Sequence, residues 1–194
     1  VKEGEIKSVK DLVDPKWKGK IMSADPRNHG QGFIPATIIS MRYGNELLKK
    51  IWVDQEATLS RDTRQITEAL VRGKHAMAFG VTPAELQPFL DQGLGKNVKG
   101  LAIDSAAPLM RGIQYVSKAP NPNAGKLFLN WFLSKDGQTS WANNTLLNSR
   151  RNDAPVVDKL TWIDPATSQP LLMDTEEMMD KPLEIAEYFK KIIP

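Results

Sequence analysis

Short apolar runs alternate with helical patterns through about the first 115 residues, and this alternation commits the chain to an α/β sheet with crossover helices. Gly19-Lys20-Ile21-Met22-Ser23 reads as the first strand. Phe33, Ile34, Thr37, Ile38 and Met41 follow as the stripe of an amphipathic helix that Gly44 stops, and a second helix is expected over Asn45 to Trp52. Glu56 to Leu59 reads as a short strand. From Asp62, which has capping-box spacing to Gln65, Ile66, Ala69 and Leu70 mark a helix closed by Gly73. His75 to Gly80 is the most continuous apolar run, as expected of a strand buried on both faces. Thr82-Pro83-Ala84-Glu85 combines N-cap, first-turn proline and a glutamate three residues on, so a helix starts there. Asn97 to Ile103 is expected to return as a strand.

The pattern changes after Pro108. Gly112 to Ser117 reads as a strand, and Asn121-Pro122 starts a long helix with Leu127, Phe128, Trp131 and Phe132 on one face and Gly137 near its end. Asn143 to Gln169 reads as loop. Two short helices are expected near Thr175 to Met179 and Pro182 to Ile193.

The 194 residues contain no Cys and only two His, His29 and His75, in no metal-ligand spacing, so no cofactor or metal is expected. Twenty-six Lys and Arg against 23 Asp and Glu give a net charge of only +3, interleaved along the chain, which argues against a nucleic-acid partner. No apolar run approaches the roughly 20 residues of a membrane-spanning helix. No nucleophile elbow, phosphate-binding loop or dinucleotide fingerprint is found, so enzymatic chemistry has no foothold and no catalytic residue is expected.

What remains is a set of polar turns following the strands. In an open α/β sheet, ligands bind outside the carboxyl ends of the strands, where helix N-termini offer amide hydrogens. The turn Ser23 to Gly32 supplies Arg27 as a charge partner, with Asn28, His29 and Gln31 as donors; Ser60 to Arg64 supplies Arg61 and Thr63. The alternative is that Asp25-Pro26 caps its helix and Arg27 is solvated or salt-bridged within its own lobe. Asp62 is read as an N-cap, and Phe79 as core.

Asp11 to Ile21, Asp25-Pro26-Arg27, Val71 to Gly80, and Lys118 to Phe128 with Phe132 to Gln138 together resemble the extracellular solute-binding proteins of ABC importers, in the branch that includes the ferric-ion-binding proteins. The match runs from about residue 9 to about residue 155. The resemblance implies a type 2 periplasmic-binding-protein-like lobe, a small anionic or polar solute held in an interlobe cleft, an ABC permease as membrane partner, and a periplasmic or extracellular location. It also implies that residues 1–111 form the second lobe, and that 112–194 hold a partial return into a first lobe plus C-terminal loop and helices. Phe128 and Trp131 would then be partly uncovered, and a dimer or domain swap is expected. Ferric-binding relatives use adjacent tyrosines, whereas Tyr43, Tyr115 and Tyr188 are scattered, which disfavours direct iron coordination. The rival reading is the ligand-sensing effector domain of a transcription regulator with the same architecture.

Overall fold

The computed structural model describes residues 1–2, 4–28, 30–101, 103, 112–158 and 180–193. Three parallel strands, β1 (Ile21–Ala24), β2 (Thr58–Ser60) and β3 (Met77–Phe79), lie in the order β2-β1-β3. Met22, Ser23 and Ala24 pair with Thr58, Leu59 and Ser60, while Ile21, Met22 and Ser23 pair with Met77, Ala78 and Phe79.

From β1 the chain crosses to β2 through α1 (Phe33–Tyr43), α2 (Asn45–Lys49) and a π-helical turn (Lys50–Asp54), and from β2 to β3 through α3 (Thr63–Val71). The two crossovers run in opposite directions, so equal handedness puts their helices on opposite faces of the sheet. The cores follow that division. Ile21 packs with Ala36 and Ile39 of α1, Leu48, Ile51 and Trp52, while Met22 and Ala24 pack with Ile66 and Ala69 of α3. Successive β1 residues thus serve alternate faces, as the pleat requires. Ser23 falls on the first face. Its hydroxyl donates to the Ala24 carbonyl at 2.8 Å and accepts the Trp52 indole N–H at 3.0 Å, which is how a hydroxyl is accommodated at full burial. Phe79 stacks on Trp52 with ring centroids 4.9 Å apart and joins this core from its margin.

The helix signals read from the sequence mark real ends. Gly44 closes α1 at a positive φ of 80°, and α4 (Pro83–Asp91) begins where Thr82 and Glu85 form their capping box. Burial of the strands differs from expectation: β1 is buried at every position, whereas β3 is only half-buried. Among the described residues β3 has a strand neighbour on one side only, and its apolar run packs under Trp52 without being buried on both faces. Among the described residues, 97–101 and 112–117 form no strand. Residues 112–117 are exposed throughout and have no ladder, without which apolar alternation does not make a strand.

Packing divides the chain into two compact units, one of Val1–Ala107 with Leu171–Pro194 and one of Pro108–Pro170. The resemblance groups the C-terminal helix with residues 112–194. Instead α7 (Lys181–Ile192) belongs to the first unit: Phe189 is fully buried against Trp52 at 5.4 Å, Ile185 lies beside it in the same core, and Tyr188 Oη donates to the Asn45 carbonyl at 3.1 Å. Its amphipathic spacing supplies that apolar stripe. The second expected C-terminal helix, near 175–179, lies outside the described residues.

In the second unit, α5 (Pro122–Phe132) is followed by α6 (Lys135–Thr145), where the sequence suggested one helix and then a loop from Asn143. The Ser134 hydroxyl accepts the Gly137 N–H at 3.2 Å, so Gly137 lies in the first turn of a new helix rather than near the end of α5. A side chain at Gly137 would run into the Trp131 carbonyl and the Phe132 backbone. Phe128 and Trp131 are each about half-exposed, as the sequence suggested.

The place of α7 in the first core is testable by urea denaturation. Phe189→Ala is expected to cost about 3–5 kcal/mol, whereas Leu183→Ala, on the exposed side of the same helix, should cost less than about 0.5 kcal/mol.

Candidate functional site

Parallel strands end on the same side of a sheet, so the turns after β1, β2 and β3 share one rim. The link is direct: the Asp25 N–H donates to the Ser60 carbonyl at 2.9 Å, extending the β1–β2 pairing by one rung. On the other side, Gly80 with φ 92° lies against Ala24, and its missing Cβ would stand 2.8 Å from the Ala24 Cβ. Gly32 is tighter still. A Cβ there would run into the Ala24 carbonyl, so the start of α1 rests on the end of β1 with no room for a side chain.

Asp25 is the hub of this rim. Its side chain is 4% exposed, and Arg27 grips it through Nε to Oδ1 at 3.0 Å and Nη2 to Oδ2 at 3.1 Å, while the Arg27 backbone N–H also reaches Oδ1 at 3.0 Å. Arg61, from the turn after β2, approaches the same carboxylate with Nε 3.6 Å from Oδ2 and is itself 75% exposed. Burial pushes the Asp25 carboxyl up, but the hydrogen bonds from Arg27 and the charges of Arg27 and Arg61 together hold it below the usual carboxylate range. Asp25 in turn raises the affinity of the Arg27 guanidinium for its proton.

The expected pairing of Arg27 and Arg61 on one rim is thus present, with a difference. Asp25 closes the local turn instead of capping α1, and it engages the fork of Arg27 that the sequence suggested for a solute. Asn28 is half-buried, its backbone N–H donating to the Asp25 carbonyl at 3.3 Å, and its Nδ2 is buried without a partner among the described residues. Thr63 opens α3 and is half-buried. His29 lies outside the described residues.

Helix N-termini contribute less open amide than the sequence suggested. The Asp62 carboxylate accepts the N–H groups of Arg64 and Gln65 at 2.9 and 3.2 Å, and Glu85 Oε2 accepts the N–H and hydroxyl of Thr82 at 2.8 and 3.1 Å. Each acid satisfies donors that a solute would otherwise find. α1 alone among these three helices starts without a side-chain cap, from Gly32, and Pro35 removes an N–H from its first turn.

Gln31, which the sequence offers as a candidate donor, is drawn into a tie with Glu85. Gln31 Nε2 donates to Glu85 Oε1 at 3.2 Å, tying the turn after β1 to the start of α4, and its Oε1 is buried without a partner among the described residues. A sequence separation of 54 hides this bond; only the cap role of Glu85 is visible locally. The rim is an open edge. Two shallow depressions, of about 370 and 450 Å³, lie over the N-terminal turns and the α1–α2 corner, lined by residues such as Lys10, Tyr43 and Asp14, and include none of the rim residues. Among the described residues no group of three His, Cys, Asp or Glu converges as a metal site, and no helix is long and apolar enough to cross a membrane.

The fold is similar to that of a periplasmic binding protein. The structure of the periplasmic binding protein P5PA is similar, with a TM-score of 0.61 at 18% identity over 97% of this chain and 60% of that one. An uncharacterized protein of Haemophilus influenzae is 27% identical over 141 residues, which cover 66% of this chain. The chain spans 38% of the length of that relative. No family model matches the sequence.

Because folding lowers the Asp25 pKa, its contribution to stability is complete above the unfolded-chain value of about 3.9 and is lost as pH falls through the lower folded value. Below about pH 4 the wild-type chain should therefore lose stability more steeply than Asp25→Asn. At neutral pH, Arg27→Ala should cost about 3 kcal/mol, because it leaves a buried carboxylate with Arg61 as its remaining charged partner. Urea midpoints at pH 7 and pH 3 check both expectations.

Proposed function

We propose that this chain supplies one side of a solute-binding cleft in an ABC uptake system, where it captures a small anionic or polar solute and delivers it to a membrane permease. The location is periplasmic or extracellular. The observation that carries this reading is the convergence of Arg27 and Arg61, from turns after two neighbouring parallel strands, on a single rim. The likeness in fold to a periplasmic binding protein supports it. So do the four sequence segments that resemble the ABC solute-binding proteins and their ferric-binding branch.

The mechanism follows from the rim. A solute's anionic oxygen meets a guanidinium, and Asn28 and Thr63 offer side-chain hydrogen bonds beside it, with His29 as a further candidate donor. An opposing surface then closes over the solute, and the closed form is selected by the contacts made only there. A half-cleft with most of its helix amides already capped binds weakly by itself. The partner surface supplies the rest of the affinity.

Thermal shift measurements with a panel of carboxylates, phosphates, amino acids, neutral sugars and apolar controls test this reading. A binder at a hundredfold excess over its Kd should add about 2.7 kcal/mol to stability. Anionic or polar members should raise Tm and the apolar controls should not, and replacing both arginines should abolish the effect. A panel without any shift, or a solute that is consumed rather than held, would overturn the proposal.

A further inference from the structure

We propose that the rim carries its own counter-ion: Asp25 keeps Arg27 in a closed fork as a positioning residue, and leaves Arg61 as the guanidinium that takes the solute's anionic group. This division of labour rests on the solute-binding reading above. The two arginines differ in how they are held. Arg27 donates to both oxygens of Asp25 at 3.0 and 3.1 Å, its side chain is 27% exposed, and its backbone N–H binds the same carboxylate. Withdrawing that fork toward a solute would strip a buried anion of its bidentate partner.

Arg61 carries no such obligation. Its contact is a single one at 3.6 Å, longer than a charge-assisted hydrogen bond, and the side chain is 75% exposed. Among the described residues it has no other partner. Exposed single-point ion pairs of this kind contribute little, so Arg61 can leave Asp25 with small loss while Arg27 stays behind to satisfy it. Until then Asp25 parks the Arg61 guanidinium over the rim. At Asp25 itself two guanidinium groups face one carboxylate, so Arg61 is the group offered at contact range to a solute's anionic oxygen.

The two halves of the proposal separate by NMR of the arginine side-chain Nε–H groups in the chain as it stands. Without solute, the Arg27 Nε–H should exchange with water about tenfold or more slowly than that of Arg61, as a buried bidentate bond demands; equal exchange would overturn the asymmetry. On titration with inorganic phosphate or acetate, the Arg61 resonance should move and the Arg27 resonance should stay. In Asp25→Asn both should move, because the neutral amide no longer holds the fork closed. Arg61→Lys should weaken phosphate binding about tenfold with Tm unchanged, and Arg27→Lys should lower Tm. Equal movement of both resonances in the wild-type chain would overturn the assignment of Arg61. If neither anion moves either resonance, the solute-binding reading itself falls, and the exchange measurement still decides how the two side chains are held.

Discussion

The first unit depends on β1 being a strand with no free side. It is hydrogen-bonded to β2 and β3, sealed by α1, Trp52 and α7 on one face and by α3 on the other, and buried at all four positions. Strands paired on both edges and covered on both faces have the least freedom to shift. The residues that follow β1 inherit that rigidity. Asp25 adds one more rung through the Ser60 carbonyl, which sets the carboxylate and with it the two arginines. The rim is in this sense an extension of the core.

Electrostatics at the rim are balanced locally rather than presented openly. Asp25 is engaged with Arg27, Asp62 with the first amides of α3, and Glu85 with Thr82 and Gln31. A surface built this way does not attract anions over a distance, because its charges cancel well inside a Debye length. Selectivity then comes from short-range hydrogen-bond geometry. That suits a cleft in which a second surface completes the contacts.

Most helix ends in the first unit were legible because they rest on local chemistry. Asp62, Thr82 with Glu85, and Gly44 each act within a few residues, and the structure uses them as read. Strand rank was not legible. β1 carries Ser23 and a mixed pattern, and the distant Trp52 indole helps make its hydroxyl acceptable inside, whereas the apolar run ending at Phe79 reads as buried on both faces and is only half-buried. α6 was missed because its polar sequence has little periodicity and its start depends on Ser134 acting as a cap. At the candidate site, strand-turn-helix order was enough to bring Arg27 and Arg61 to one edge. The Asp25 fork was readable only as an alternative, and the Gln31–Glu85 tie could not be inferred, since a contact across 54 positions leaves no trace in either neighbourhood.

Gly32 and Gly80 both press on Ala24 with no room to spare. A lineage exploring new guests could therefore exchange the side chains at positions 61 and 63 without moving the turns, while enlarging residue 24, 32 or 80 would pry them apart. The main chain here behaves as a fixed jig, and diversification is channelled into what is mounted on it.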